Sequence, residues 1–381
     1  MRLWKMEFSK IAARPVMNVG FLMLTGFFML IIWQEAKGSR TEMDGIVYQG
    51  IEAVKKDREL AKEYEGIFTM EKAEDIVERF GFSGYVGENS VEFSRVREGN
   101  YCSQFVTDKM TDFMQTERKP SNFLEGEAWE NYGRYFVSGS VQFGYAAGWR
   151  KLTEIWTMAV LSLNFWLVLM TAPVFSEEYS RNTTGILLST QRGKSEDIRK
   201  KITAALGLGL MAYVLLTVLL AGSTVAAYGS DGLHASAQMA CDSLWGDMWK
   251  NRSVSFFLLW MFLAGMVSVL LNTAVILLVS AKAKRPVTAV TTGLVLFLLP
   301  WGVNQFLFQI MMSMGIANSF AGWIFMDGIR IFCFSMPFYL TFSDIFSIPE
   351  NWLVFLPIVA LSVMALSIWR AQANYRNYQE G

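Results

Sequence analysis

The sequence predicts an all-α integral membrane protein with six transmembrane helices and one polar insertion domain. Three observations predict this class. Of the 381 residues, 52% are hydrophobic and 14% aromatic. Six apolar segments are each long enough to cross about 30 Å of hydrocarbon at about 1.5 Å per residue. The basic residues also concentrate in alternate connecting segments, as they do in multi-pass proteins.

The six predicted spans contain no charged residue in their interiors. They lie at 16–34, 154–173, 203–227, 254–280, 287–311 and 352–370. The first segment could instead be a signal peptide, because basic residues precede it. It is long, has no clear small-residue cleavage site and is followed by five more spans, so we interpret it as a membrane anchor.

The distribution of Lys and Arg orients the chain with both termini inside. In that orientation the inner segments hold 15 basic residues, whereas the two short outer loops hold three. The long loop 35–149 holds 14 basic and 21 acidic residues, but long loops cross the membrane regardless of charge. The N-terminus and the C-terminus are therefore both predicted to be cytoplasmic.

Residues 35–150 are expected to form an extracellular domain, either α/β or mostly helical. The apolar spacing predicts one helix over Asp44–Glu65. A second helix should follow Thr69, with Glu71 in its first turn and Gly81 near its end. Short β-like runs follow at Ser90–Val96 and Tyr101–Val106. Cys102, Cys241 and Cys333 all fall on the outer side, where a Cys102–Cys241 bridge could form, but three scattered cysteines make no disulfide framework.

Two further segments have the length and polarity of interfacial structure. Residues 1–15 can form an amphipathic helix, with Trp4, Phe8 and Ile11 on one face, or they can be a frayed basic terminus. Residues 313–347 contain two apolar runs of 12 residues each, too short to span. A re-entrant hairpin on the outer side is the preferred interpretation, with two tilted extra spans as the alternative.

The predicted spans carry neutral amides in place of ionisable side chains. These are Asn164, Asn272, Asn304, Gln305 and Gln309. Interhelical hydrogen bonding is the ordinary role of such residues, and lining a substrate path, for which Asn164, Asn272, Asn304 and Gln305 are candidates, is the alternative. No phosphate-binding Gly-x-x-x-x-Gly-Lys-Ser/Thr motif, metal-ligand set or nucleic-acid motif occurs in the sequence. The sequence therefore predicts neither an enzyme nor a directly bound cofactor.

The inner loop 174–202 is too polar for lipid and too patterned for a simple connector. Its segment 175–201 carries six basic and four acidic residues. We expect a helix on the cytoplasmic face that either docks against a partner or is a solvated, charge-balanced connector. The candidate contact residues are Glu177, Glu178, Arg181, Thr184, Leu187, Leu188, Thr190 and Arg192.

This loop resembles the first cytoplasmic loop of membrane subunits in the type-2 ABC exporter family. The matching residues are Phe175, Glu178, Thr184-Gly185, Leu187-Leu188, Thr190 and Lys201, and Gln191 departs from the proline usual in that family. The amphipathic N-terminus is similar to the family's elbow helix, and 313–347 is similar to its outer hairpin.

The resemblance implies the permease subunit of an ATP-driven exporter. Such a subunit pairs with a second permease, as a homodimer or heterodimer, and with two cytoplasmic ATPases that bind ATP and Mg²⁺. It implies a bacterial plasma membrane and a substrate such as an antimicrobial peptide or amphipathic compound. The alternative is a receptor-like sensor that uses its extracellular domain without transport, although no cytoplasmic output domain is evident.

Overall fold

The computed structural model describes residues 2–83, 99–110, 141–190, 193–241, 251–313 and 350–377. These residues are mainly helical. The helices are α1 (Arg2–Ala12), α2 (Pro15–Gly38), α3 (Ile51–Glu63), α4 (Met70–Phe80), α5 (Tyr101–Met110), α6 (Ala147–Thr171), α7 (Pro173–Ser180), α8 (Thr184–Ser189), α9 (Ile198–Tyr228), α10 (Val254–Lys282), α11 (Pro286–Ser313) and α12 (Glu350–Arg376). The strands are β1 (Arg40–Met43), β2 (Ile46–Gln49), β3 (Gly66–Ile67) and β4 (Gln142–Phe143), and β1–β2 and β3–β4 pair antiparallel.

Four of the described helices are long and apolar enough to cross a membrane. They cover Asn18–Gly38, Ala147–Ser180, Ser195–Tyr228 and Val254–Lys282. The fifth predicted span begins with a shorter apolar helical stretch, Pro286–Leu299, and the sixth falls within α12. The chain is thus a mainly α-helical, multi-pass membrane protein. The count of six spans and their orientation stay predictions, and the predicted hairpin at 313–347 lies almost wholly outside the described residues.

Large apolar side chains are exposed along the membrane-length helices, as lipid contact requires. On α2, Leu22, Met23 and Leu30 are 65–70% exposed, whereas Ile32 is fully buried. The helix is therefore apolar on both its outward and its inward faces, which is typical of a membrane span. Contiguous exposure of this kind is rare on soluble monomers.

The chain divides into two compact units. The first comprises Met1–Phe27, Trp156–Leu219 and Trp260–Gly381, and the second comprises Phe28–Ile155 and Leu220–Leu259. In the first unit, Val168, Ala172, Ile276, Ala289 and Phe297 form a buried apolar cluster that joins α6, α10 and α11.

The N-terminal segment of the first unit is helical and amphipathic, as predicted. Ile11 is 4% exposed, and the rings of Trp4 and Phe8 stack with their centroids 5.1 Å apart. Lys5 and Ser9 lie on the exposed side of α1. Pro15 then begins α2, where its missing N–H costs no helical hydrogen bond.

In the second unit a β-hairpin follows α2, so the prediction of one helix over Asp44–Glu65 is wrong in its first part. Arg40 pairs with Gln49 and Met43 with Ile46, and α3 begins only at Ile51. The turn is Asp44-Gly45, with φ of 53° and 73°. These positive values at both central residues match the turn that joins tightly paired strands, and Asp-Gly is a preferred sequence for it.

The prediction of a strand at Tyr101–Val106 is also wrong, because these residues begin α5. Asn100 and Ser103 cap this helix reciprocally. The Ser103 N–H donates to Asn100 Oδ1 at 2.9 Å, and the Asn100 N–H donates to Ser103 Oγ at 3.0 Å. The helix after Thr69 is confirmed as α4, with Glu71 in its first turn and Gly81 at its end. Residues 90–96 lie outside the described residues.

Aromatic rings fill the core of the second unit. Phe68, Phe105 and Phe143 meet pairwise with centroids 5.0–5.1 Å apart. Cys102 is fully buried beside this core, and no disulfide joins it to Cys241. The bridge between them that the sequence allowed is therefore not formed, and Cys333 lies outside the described residues.

The loop after α9 is tied to the insertion domain within the second unit. Arg58 Nε on α3 donates to Asp231 Oδ2 at 2.6 Å, and Trp149 Nε1 donates to the Asp231 carbonyl at 2.7 Å. Gly229 lies beneath the guanidinium of Arg58, where an added Cβ would approach Arg58 Cζ to 2.4 Å. Chain segments more than 170 residues apart therefore form one packed structure.

Candidate functional site

The loop between α6 and α9 is built as two short helices and a π-helical turn. Helix α7 begins at Pro173, and Ser280 at the end of α10 caps its first turn. Ser280 Oγ accepts from the backbone N–H groups of Phe175 at 2.9 Å and Ser176 at 3.2 Å. The Tyr179 hydroxyl donates to the carbonyl of Ala281 at 3.0 Å. These bonds fix α7 to the end of α10.

A left-handed residue reverses the chain after α7. Asn182 has φ of 53°, a conformation that Asn tolerates better than most residues. The Thr183 N–H donates to the Glu178 carbonyl at 3.1 Å, which gives this carbonyl at the end of α7 a hydrogen-bond partner. Helix α8 then runs from Thr184 to Ser189. The polypeptide turns sharply again at Gly193, where an added Cβ would lie 1.8 Å from the Leu187 carbonyl oxygen.

Helix α8 exposes one large apolar side chain, Ile186. Its side chain is 70% exposed, whereas Leu188 is 7% and Thr184 1% exposed. Leu187 is half-buried. The expectation that Leu187 and Leu188 are both contact residues thus needs correction, because Leu188 is buried within the chain. Ile186 is the residue on this helix that can bury against another molecule.

A buried charge cluster underlies the loop and consists of Glu178, Asp197, Lys201 and Tyr375. The Lys201 ammonium lies 2.8 Å from Glu178 Oε1 and also pairs with Asp197. The Lys201 side chain is 1% exposed, that of Asp197 10% and that of Glu178 14%. Lysine is almost never buried without paired carboxylates, so each member of this cluster depends on the others.

Helix α12 contributes the fourth member of this cluster. The Tyr375 hydroxyl donates to Glu178 Oε2, and its ring packs on Phe175 with centroids 4.7 Å apart. Burial, together with the neighbouring Glu178 carboxylate, raises the pKa of Tyr375 far above its usual value. The hydroxyl therefore stays protonated and serves as a hydrogen-bond donor. Through it, the charge cluster connects α7, α9 and α12.

The Glu178 carboxylate is thus occupied inside the chain. The sequence placed Glu178 among the candidate residues for contact with a partner. The structure corrects this, because Lys201 and Tyr375 bind both of its oxygens. Glu177, the preceding residue on α7, is more exposed and forms ion pairs with Arg14 at 2.8 Å and with Arg181. Arg14 lies between α1 and α2, so its pair with Glu177 ties the N-terminal helix to the loop.

The other predicted contact residues divide between surface and interior. Arg181 has a 70% exposed side chain, and Thr190 is exposed, with its hydroxyl donating to the Leu187 carbonyl at 2.7 Å. Thr184 is buried. Arg192 lies outside the described residues. The exposed surface of the loop therefore includes Ile186, Ser189, Thr190 and Arg181.

Two of the predicted membrane amides, Asn164 and Asn272, are hydrogen-bonded between helices. Asn164 Nδ2 on α6 donates to Ser268 Oγ at 3.2 Å, and Asn272 Nδ2 on α10 donates to the Asn164 carbonyl at 3.0 Å. Asn164 is fully buried and Asn272 is 3% exposed. The backbones of Asn304 and Gln305 lie in α11, but their side chains are outside the described part of the structure. Asn164 and Asn272 thus form one polar contact between α6 and α10, whereas Gln309 is exposed on α11.

No protein-family model, curated protein or solved structure matches this chain. Any function must therefore be argued from its own residues. Among the described residues, no group of three or more His, Cys, Asp or Glu side chains lies close enough to hold a metal ion.

Two features of this site could have been found in the sequence, and one could not. Asp197 and Lys201 have the i, i+4 spacing of a helical ion pair. Ile186 stands beside Leu187 and Leu188, so helical spacing places the three on different sides of α8. Tyr375 lies 197 residues from Glu178, and no local signal connects them.

Proposed function

We propose that this chain is the membrane-spanning permease subunit of an ATP-driven ABC exporter. Helix α8 transmits motion from a separate cytoplasmic ATPase. The exposure of Ile186 on a loop that is fixed to membrane-length helices carries this proposal. Burying a large aliphatic side chain contributes about 1.5–3 kcal/mol, so Ile186 can make a substantial contribution to a docking contact.

The charge cluster makes the loop suitable for coupling. Force applied to α8 reaches α7 through a short turn, and Glu178 on α7 is bonded to Lys201 on α9 and to Tyr375 on α12. Breaking a buried ion pair costs about 3–5 kcal/mol, so movement of the loop moves the attached helix ends with it. A solvated connector would need no such anchoring.

The remaining parts of the proposal follow from the resemblance of the loop to that family. Two ATPases, which bind ATP and Mg²⁺, act with this chain and a second permease subunit in a bacterial plasma membrane. The N-terminus, the loop and the C-terminus face the cytoplasm. The substrate is an antimicrobial peptide or amphipathic compound, and Asn164, Asn272, Asn304 and Gln305 are candidates for contacting it.

A site-specific cross-link tests the proposed docking. A photoreactive amino acid replaces Ile186, and the same amino acid replaces Ile46 in a control, since Ile46 is 56% exposed on the β1–β2 hairpin. We expect position 186 to cross-link a soluble protein that binds ATP, and position 46 to give no such product. Equal yields at both positions, or a product at 186 that does not bind nucleotide, would contradict the proposal.

A further inference from the structure

The second unit contains a cavity of about 230 Å³ away from the loop just described. Its polar lining includes Gln142, His234, Asn251 and Arg252, and its apolar lining comprises Ile67 and Val141. The volume is below the range of about 300–1,000 Å³ that accommodates drug-sized ligands. The cavity therefore suits a small polar group or the headgroup of a larger molecule.

Backbone hydrogen bonds hold the cavity walls in place. The Ser236 N–H donates to the Gln142 carbonyl at 2.9 Å, and the Gln142 N–H donates to Ser236 Oγ at 2.9 Å. The Ala237 N–H donates to the Arg252 carbonyl at 2.8 Å. Three chain segments are thus joined before any ligand binds. Because these backbone groups are already paired, they are not available to a ligand.

The side chains around the cavity favour an anion. Arg252 and His234 are exposed, and none of the described lining residues is acidic. Within the described part of the chain, no carboxylate lies within 4 Å of the Arg252 guanidinium. This guanidinium lies 4.9 Å from the centre of the Phe256 ring, which supports its planar group. A guanidinium fork matches a phosphate, and the amides of Gln142 and Asn251 offer further donors.

The position of the cavity relative to α10 indicates where the anion comes from. Helix α10 is one of the four helices able to cross a membrane, and it begins at Val254, two residues after Arg252. The cavity therefore lies at the end of a membrane-length helix, where lipid headgroups are found. Ile67 is 64% exposed at the same cavity and offers an apolar contact beside the cationic group.

We propose that this cavity binds the phosphate of an anionic phospholipid headgroup. Arg252 contacts the phosphate oxygens, His234 and the two amides complete the polar contacts, and Ile67 contacts the glycerol and the first acyl carbons. Soluble phosphate esters share the phosphate chemistry. The lipid is the source we favour, because the site adjoins both α10 and an exposed apolar side chain.

Binding to the detergent-solubilised full chain tests this proposal with three probes. These are dihexanoyl-phosphatidylglycerol, dihexanoylglycerol, which lacks the phosphate, and glycerol phosphate, which lacks the acyl chains. We expect the phospholipid to bind at least about tenfold more tightly than either fragment. We expect Arg252→Gln to weaken phospholipid binding about tenfold, since charged hydrogen bonds to phosphate are among the strong ones. Lys55→Gln is the matched control, because Lys55 is an exposed cation of the same unit outside the cavity.

Each outcome of this experiment is decisive. Equal weakening by Arg252→Gln and Lys55→Gln, or no weakening by either, overturns the site. If glycerol phosphate binds as tightly as the phospholipid, the site takes soluble phosphate esters and the lipid source is overturned. His234→Gln is a second cavity variant in case Arg252→Gln does not fold, and we expect it to weaken binding severalfold. The lipid site is independent of the proposed coupling to an ATPase, so the two fail separately.

Discussion

The ammonium of Lys201 lies 2.8 Å from the carboxylate of Glu178, and its side chain is 1% exposed. These residues are 23 positions apart, on α9 and α7. Together with Asp197 and Tyr375 they place two carboxylates, one ammonium and one phenol in a site from which water is nearly excluded. Such a cluster is stable only while each charge keeps its partners.

Lys201→Met is expected to destabilise the protein by about 3–5 kcal/mol, because it leaves two buried carboxylates uncompensated. Thermal or denaturant unfolding in detergent measures this loss. Arg199→Met is the control, since it removes a cation from an exposed position two residues away. We expect the triple variant Lys201→Met, Glu178→Gln, Asp197→Asn to recover much of the stability. Equal losses from Lys201→Met and Arg199→Met would show that the cluster contributes little.

Tyr375→Phe isolates the hydroxyl contribution of α12. The variant keeps the ring that packs on Phe175 but removes the donor to Glu178. Hydrogen bonds to charged groups contribute about 1.5–3 kcal/mol, and a loss of that size is expected in the same unfolding assay. Tyr375→Ala should lose more, because it also removes the packed ring. Identical melting curves for wild type and Tyr375→Phe would rule out a structural role for this hydroxyl.

Two aspartate substitutions on α8 separate docking from folding. Ile186→Asp changes a side chain that is 70% exposed, so it should leave the yield and melting temperature of the chain unchanged. It should nevertheless abolish co-purification of ATPase activity if α8 docks as proposed. Leu188→Asp places a charge where the side chain is 7% exposed, and it should lower stability itself. Full recovery of ATPase activity with Ile186→Asp would remove α8 from the proposed interface.

The second unit is expected to lose stability as the pH rises from about 4 to about 6. Burial raises the pKa of Asp57 to about 6 from 3.8, although Thr41 Oγ and the Tyr101 N–H both donate to its carboxylate. Because the folded state holds this proton more tightly than the unfolded state, the contribution of Asp57 is greatest below the unfolded pKa. It is lost as the pH rises through the folded value.

Asp57→Asn should flatten this pH dependence, because its amide oxygen can accept the same two hydrogen bonds without carrying charge. Protease resistance of the second unit in the intact, solubilised protein, measured between pH 4 and 7, provides the readout. Glu52→Gln is the control on the exposed side of the same helix. A pH profile of Asp57→Asn that still follows the wild type would contradict the assignment to this carboxyl.

Thiol labelling checks the predicted orientation. Ser195 and Lys284 are exposed and should face the same side as the N-terminus, whereas Lys55 should face the opposite side. In intact cells, a membrane-impermeant maleimide should label Lys55→Cys and spare Ser195→Cys and Lys284→Cys. Cys333, which lies on the predicted outer side, is replaced by Ser in all of these variants. The remaining native thiols, Cys102 and Cys241, are buried, so their background should be low. External labelling of Ser195→Cys would reverse the orientation and remove the proposed contact with a cytoplasmic ATPase.

The long helices were predictable because, in lipid, a helix is the main way for an apolar segment to hydrogen-bond its backbone N–H and C=O groups. Predicted segment 203–227 lies within α9, and 254–280 lies within α10. In α6 the observed helix starts at Ala147, seven residues before the predicted span. Trp149 and Leu152 are buried in the second unit, so the helix continues beyond the apolar stretch. Hydropathy alone does not detect such an extension.

The polar domain was harder to predict because local signals competed there. Tyr101, Phe105 and Val106 favour strands by propensity, but the reciprocal cap between Asn100 and Ser103 starts a helix. The Asp44-Gly45 turn was visible in the sequence. The apolar spacing that follows it favours a helix, however, and the hairpin was therefore not predicted. In the charge cluster, by contrast, Tyr375 joins Glu178 only through tertiary packing, which no window of sequence contains.

The hydrogen bond from Arg58 to Asp231 has a consequence for how this protein can change in evolution. Deleting or exchanging the insertion domain would leave Asp231, in the loop after α9, without the arginine on α3 that neutralises its carboxylate. Gly229 is constrained by the same guanidinium. Positions 58, 229 and 231 should therefore covary among homologues, and grafting a foreign domain between the first two membrane helices would require a matching change in that loop.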